Sequence, residues 1–199
     1  SIFAGSYERF LFGHAYGGPN SSFVTAAGEE EFEKRNAKFL CTIDAHSQSI
    51  KSIAAAGPFF CSGGHDDRIR AFHVNKRGEI SDVGSLTGHS GTVTCIAFAK
   101  PSIYGKCDED DDDGKKCTTK NNNNNKEEKV PSPTRMLSGS DDGTILVWQT
   151  YDFEILKKML AHRNGVSGLS VHASGVVAVS CGKEDRSVAL WDLKKGRVA

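Results

Sequence analysis

The sequence predicts an all-β protein built from repeated four-stranded units, and three observations predict it. The phrase SGSDDGTILVWQ at 138–149 recurs in degraded form as SGGHDDRIRAFH at 62–73 and as CGKEDRSVALWD at 181–192. Each copy carries an aspartate six residues before an aromatic: Asp66 and Phe72, Asp142 and Trp148, Asp185 and Trp191. Each copy also follows an Ala-His or Gly-His pair ending at His46, His89 or His162. The spacing is fixed, since 43 residues separate His46 from His89 and again Trp148 from Trp191. Short strands broken by Gly, Asn and Asp at such a period form one sheet per repeat, stacked as the blades of a β-propeller.

The units follow in order. Residues 1–43 make a degenerate first blade, with strands over Ile2–Ser6, Arg9–Tyr16 and Lys38–Ile43 around a polar internal loop holding Glu29, Glu30 and Glu31. Residues 44–87 make a second blade, with strands over Ile50–Ala55, Phe59–Ser62, Arg68–Val74 and Ser81–Leu86. In the third, 88–160, Val93–Phe98 alternates as an inner strand should. Arg135–Ser138 then enters the Ser-Asp-Asp-Gly turn, Thr144–Gln149 is β-rich, and Glu154–Leu160 lies outermost. This third unit is too long, because 73 residues separate His89 from His162. The excess falls in 100–134, with the acidic run Asp108–Asp113, the tract Asn121–Asn125, Pro131 and Pro133. A segment with so little apolar surface to bury is expected to be a disordered loop between the first two strands of its blade. Loop-closure entropy grows slowly enough with length to permit it. The fourth unit, 161–199, runs through Val166–Val171, Val176–Ser180 and Ser187–Leu193, with Ser174-Gly175 as a hairpin turn. It is read as incomplete, its last strand only beginning at Arg197. About four blades are thus expected.

Composition excludes several function classes. The 199 residues hold 25 acidic and 25 basic side chains for a formal charge of zero, so no global field points to nucleic acid or to a basic ligand. No apolar run approaches the roughly 20 residues that cross a bilayer, and SIFAGSYERF lacks the charged-then-apolar order of a signal peptide. Of six cysteines, Cys41, Cys61, Cys95 and Cys181 sit in or beside expected strands, where a thiol acts as a small apolar group. Together with Cys107 and Cys117 they are read as reduced and intracellular. In that setting the sequon Asn20-Ser21-Ser22 is a chance match.

The repeat resembles the WD repeat, and that resemblance implies a role for its recurring polar residues. In such repeats the turn aspartate fixes the histidine, whose ring reaches a strand Ser or Thr, which meets the tryptophan N–H. An unsatisfied member inside a blade costs roughly 1–3 kcal/mol, so the set is kept whole. Here the second copy has His89, Ser138, Asp142 and Trp148. The first has His46, Ser62 and Asp66, but Phe72 supplies no donor. The third has His162, Asp185 and Trp191, with Cys181 at the serine position and Ser180 beside it, so either its turn carries an extra residue or its network is weakened. A hydrolase built on the His, Ser and Asp is the competing reading. The set recurs with the blade period whereas a triad occurs once, and no Gly-x-Ser-x-Gly elbow is present.

Two metal readings fail on spacing. Aligning Gly114 with the glycine of a calcium loop puts Glu109 first and Lys120 at the bidentate-carboxylate position. Cys107 and Cys117 have no histidine near them in the insertion. No phosphate-binding or dinucleotide motif occurs, and no cofactor is expected. What remains is a protein-binding surface: His65, Asp141, Lys183 and Glu184 in the turns before each network aspartate, and Gln48, Thr92, Arg163 and Asn164 after each network histidine. In propellers these loops share one side of the disk.

Two stretches carry a closer resemblance. AGSYERFLFGHA at 4–15, read as lying outside the repeat pattern, and LKKMLAHRNGVSGLSVHASGVVAVSCGKEDRSVALWDLKKGRVA at 156–199 resemble the p21-activated-kinase-interacting WD-repeat proteins. HSGTVTC at 89–95 and LSGSDDGTILVW at 137–148 fit the same family. The resemblance implies a seven-bladed, nucleolar, non-enzymatic factor for assembly of the large ribosomal subunit. Its partners would be pre-ribosomal proteins, with rRNA contact inside the particle and no membrane or small-molecule substrate. Alternatively it implies an adaptor that binds and inhibits p21-activated kinase. The chain departs from that family in lacking later blades and a lysine-rich tail, and in carrying the acidic, Asn-rich insertion.

Overall fold

A computed structural model of the chain describes residues 2–15, 38–75, 79–99 and 134–198. The described residues form fifteen strands in four antiparallel sheets, with no helix among them. Sheet 1 holds β1 (Ile2–Gly5), β2 (Phe10–Ala15) and β3 (Lys38–Asp44). Sheet 2 holds β4 (Ile50–Ala56), β5 (Phe59–Gly64), β6 (Ile69–Val74) and β7 (Ile80–Leu86). Sheet 3 holds β8 (Val93–Ala99), β9 (Arg135–Ser140), β10 (Thr144–Gln149) and β11 (Ile155–Leu160). Sheet 4 holds β12 (Val166–Val171), β13 (Val177–Gly182), β14 (Val188–Asp192) and β15 (Arg197–Val198). The all-β propeller blades expected from the period are present as these sheets. The expectations for the insertion, for its acidic and asparagine runs and for Cys107 and Cys117 lie outside the described residues. Its flanking strands β8 and β9 pair directly.

The N-terminal hairpin departs from the common repeat residues but keeps the blade register. Gly5 pairs with Leu11 and Ala4 with Phe12, in the register that pairs Gly139 with Ile145 and Ser138 with Leu146. β1, β2 and β3 therefore match the second, third and fourth strands of the other sheets. Degeneration hid the match, because Ala4, Glu8 and His14 stand where sheet 3 has Ser138, Asp142 and Trp148. The turn geometry is kept throughout: Arg9, Asp67, Gly143 and Arg186 occupy the same turn, and all have positive φ, at 80°, 62°, 80° and 51°.

Alternation along each strand builds the core between sheets. In sheet 3, Leu137, Ile145 and Val147 face sheet 4 and pack with Ala178, Trp191 and Leu193. On the other face Met136, Leu146 and Trp148 pack with Cys61, Ile69 and Ala71 of sheet 2. β10 is thus buried along almost its whole length, which is why it reads as a continuous apolar run. Sheets 1 and 2 meet through Leu11, Phe60 and Phe72, with Phe3 stacked on Phe60 at 4.0 Å and Phe60 on Phe72 at 4.7 Å.

A second device locks neighbouring sheets near their inner strands. β4, β8 and β12 each bulge after their first residue, at Ile50/Ser52, Val93/Cys95 and Val166/Gly168. That first residue presses on a glycine of the preceding sheet. A Cβ on Gly5 would sit 2.8 Å from Ile50 Cγ2, one on Gly63 2.5 Å from Val93 Cγ1, and one on Gly139 2.8 Å from Val166 Cγ1. Only glycine leaves space for these branched side chains.

Candidate functional site

The network residues converge in three of the four sheets. In sheet 3, His89 Nδ1 lies 3.3 Å from Asp142 and its Nε2 lies 2.8 Å from Ser138 Oγ, which accepts the Trp148 indole N–H at 2.8 Å. A carboxylate only accepts, so Nδ1 carries the proton and the chain runs Trp N–H to Ser, Ser O–H to His, His N–H to Asp. In sheet 2, His46 meets Asp66 at 2.9 Å and Ser62 at 2.8 Å, while Phe72 packs against Phe60 and donates nothing.

Sheet 4 resolves the ambiguity left by its sequence. His162 meets Asp185 at 3.0 Å and Ser180 at 2.9 Å, and Ser180 accepts the Trp191 N–H at 2.8 Å. Its β13–β14 turn carries one extra residue and the network is complete. Cys181 is therefore not a member: it is exposed, at the position of Gly139.

Electrostatics follow from this geometry. Burial pushes the Asp142 carboxyl up, but hydrogen bonds from the Ser90 N–H and from Thr144 outweigh it and hold the group at about 2. Asp66 is lowered in the same balance, burial opposed by the Ser47 N–H and by His46. Asp185 is lowered chiefly by the backbone and side chain of Ser187. For His89 burial dominates and lowers its pKa, which keeps the imidazole neutral at neutral pH as the donor chain requires. Ser62, Ser138 and Ser180 each have 0% exposure, so none of these hydroxyls presents itself to a substrate. In sheets 2, 3 and 4 the arrangement ties the loop before the inner strand to the middle strands. Among the described residues, no group of three His, Cys, Asp or Glu side chains could hold a metal ion.

The eight surface candidates lie at the rim beside these networks, and the structure engages most of them with each other. His65 Nδ1 meets Thr92 Oγ1 at 2.9 Å, bridging sheets 2 and 3, and Lys183 Nζ donates to Asp141 at 2.9 Å, bridging sheets 3 and 4. Asn164 donates to Glu184 at 3.1 Å. Gln48 and Arg163 are exposed, and Gln48 shares with His65, Arg68 and Arg70 a polar groove over sheet 2. The sequence reading missed the glycine interlocks. Their signal was present: a β-branched residue stands four positions after each network histidine (Ile50, Val93, Val166), and a glycine follows Ser62 and Ser138. It also missed Arg70, which replaces the buried Leu146 of sheet 3 and pairs with Asp82.

Comparison with known proteins agrees with the repeat. The family profile described as "WD domain, G-beta repeat" matches residues 37–73, 80–104, 129–149 and 153–192. The chain is 30% identical over 198 residues to a p21-activated protein kinase-interacting protein 1-like protein of Gallus gallus, covering 100% of this chain and 40% of that protein. It is 29% identical over 179 residues to Protein MAK11 of Saccharomyces cerevisiae, covering 90% of this chain and 37% of the relative. Against the p21-activated protein kinase-interacting protein 1 of Homo sapiens it is 34% identical over 97 residues, 49% of this chain and 22% of the relative. The chain spans about two fifths of the length of the curated relatives it matches along its whole length. The resemblance read from AGSYERFLFGHA and the C-terminal stretch is borne out by these matches.

Proposed function

The chain belongs to the WD domain, G-beta repeat family, and on that premise we propose that it is a non-enzymatic scaffold in assembly of the large ribosomal subunit. It would support maturation of that subunit's rRNA and work in the nucleolus. The observation that carries this reading is the similarity to the p21-activated protein kinase-interacting protein 1-like proteins over 100% of the chain, joined by Protein MAK11 over 90%. The resemblance to that group implies the ribosomal role. The geometry supports a scaffold. The serines of the His-Ser-Asp sets are sealed inside sheets, while the loops carrying Gln48, His65, Thr92, Asp141, Arg163, Asn164, Lys183 and Glu184 offer a shared polar rim to pre-ribosomal proteins. Contact with rRNA would follow from placement in the particle, since the neutral chain offers no global basic field. Depleting the protein and following large-subunit rRNA intermediates tests the proposal, and unchanged processing refutes it.

A second reading is an adaptor that binds and restrains p21-activated kinase, favoured by the names of the vertebrate relatives. Affinity purification separates the two. Enrichment of pre-ribosomal proteins supports the first, and enrichment of the kinase without them supports the second.

A further inference from the structure

A formal charge of zero over the chain leaves room for a local excess, and the junction of sheets 3 and 4 holds one. Two cationic side chains of sheet 3 cross to the β14–β15 turn of sheet 4. Arg135 Nη1 donates to the Leu193 carbonyl at 3.1 Å, and Lys157 Nζ donates to the Lys195 carbonyl at 3.2 Å. The turn itself carries Lys194 and Lys195, both exposed. A carbonyl oxygen orients a cation but leaves its charge in place. Among the described residues neither Arg135 nor Lys157 forms an ion pair, unlike Arg9, Arg70 and Lys183. Asp192, the carboxylate at this turn, accepts the backbone N–H groups of Lys194 and Lys195.

The repeat does not require these cations. At the junction of sheets 2 and 3 the equivalent positions are Phe59 and Gly84. There Phe59 packs edge-on against Phe153 at 5.9 Å, so that junction is closed by apolar contact. The junction of sheets 3 and 4 instead gathers like charges at one edge, where their mutual repulsion is relieved by an arriving anion. An aromatic stands beside them. The Thr150 N–H bonds the Thr134 carbonyl next to Arg135, and Tyr151 follows with 78% exposure. The same turn carries Asp152 and Glu154, and Asp152 accepts the Glu154 N–H.

We propose that this edge, Arg135, Lys157 and Lys195 with Tyr151 beside them, receives the backbone of a single RNA strand. Phosphate oxygens meet the cations, and the exposed ring offers a face on which a base stacks. An acidic protein segment would satisfy the charges alone. The choice of RNA rests on the ribosomal reading above and gives it a site on this chain.

Fluorescence anisotropy of a labelled oligouridylate with the whole protein tests this. Binding should weaken with salt, and Lys157→Ala and Lys195→Ala should each lower the slope of log affinity against log salt by about 0.7. Lys51→Ala, which removes an exposed lysine on β4 of sheet 2, should leave the slope unchanged. Tyr151→Ala should weaken binding severalfold, with circular dichroism showing every variant folded. No binding at low salt, slopes unchanged in Lys157→Ala and Lys195→Ala, or affinity indifferent to Tyr151→Ala overturns the proposal. So does labelled polyglutamate bound as tightly through the same lysines, which would make this a site for acidic proteins. Any of these results with pre-ribosomal proteins still enriched on purification removes the RNA site and leaves the scaffold. Unchanged rRNA processing on depletion removes the scaffold and leaves the binding result standing.

Discussion

Ser138 and Ser62 occupy the same strand position and carry different numbers of partners, which allows the network to be weighed within one molecule. Ser138 Oγ serves both His89 and Trp148, whereas Ser62 Oγ serves His46 beside an aromatic without a donor. Ser138→Ala strands two buried groups and Ser62→Ala strands one. With roughly 1–3 kcal/mol for each buried polar group left unpaired, the expected losses are about 2–6 and about 1–3 kcal/mol. The assay is urea unfolding at neutral pH, comparing midpoints at equal slope. Trp148→Phe supplies the second arm of a cycle, since it gives sheet 3 the arrangement of sheet 2. In that background the loss on Ser138→Ala should shrink to the Ser62→Ala value, a coupling of about 1–3 kcal/mol. Equal costs for the two serines, or a Ser138→Ala cost unchanged by Trp148→Phe, would refute the account of the indole as part of the chain.

Acid should weaken the fold in two stages. His89 is lowered by burial, so below its ordinary 6.5 the unfolded chain binds a proton that the folded chain refuses, and stability falls with pH there. Asp142, at about 2 instead of 3.8, contributes stability above 3.8 that is lost as pH falls towards 2. That contribution is at most about 2.5 kcal/mol, nearer about 1 after solvent screening. Urea midpoints measured from pH 7 to pH 2 should decline through both windows, and a flat profile between pH 6.5 and pH 5 would count against a neutral buried His89. Gly139→Ala, whose Cβ would stand 2.7 Å from Cys95 Sγ and 2.8 Å from Val166 Cγ1, should cost about 1–3 kcal/mol. Gly168→Ala, with nothing within 4 Å, should stay within about 1 kcal/mol by the same unfolding assay. Native-state thiol mapping should label Cys181, which is exposed, and spare Cys61, which burial pushes up to about 12. Labelling of Cys61 at a comparable rate would contradict its burial.

Much of the fold was legible because two periods coincide in the sequence, the short alternation within strands and the 43-residue spacing that separates His46 from His89 and Trp148 from Trp191. The polar networks were legible for the same reason, since each is a set of residue types at fixed separations. Sheet 1 was harder, because its hairpin keeps the turn and the register while replacing every hydrogen-bonding member with Ala4, Glu8 and His14. Sheet 4 was ambiguous, since an extra turn residue shifts the serine by one and only geometry says which of Ser180 and Cys181 faces His162. The rim was legible as a location, but His65–Thr92 and Lys183–Asp141 join residues 27 and 42 positions apart, and no local pattern announces such pairs.

The four equivalent turns at Arg9, Asp67, Gly143 and Arg186 bear on how the repeats have diverged. A side chain in the left-handed region costs about 1–2 kcal/mol, and three of the four turns have accepted it. Gly143 has not, because a Cβ there would stand 2.0 Å from the carbonyl oxygen of His162, the residue that opens the next repeat. Drift at that turn is therefore set by the neighbouring repeat's backbone and not by the turn's own torsion. The copy that keeps glycine at this turn is the one whose turn has no empty space beside it.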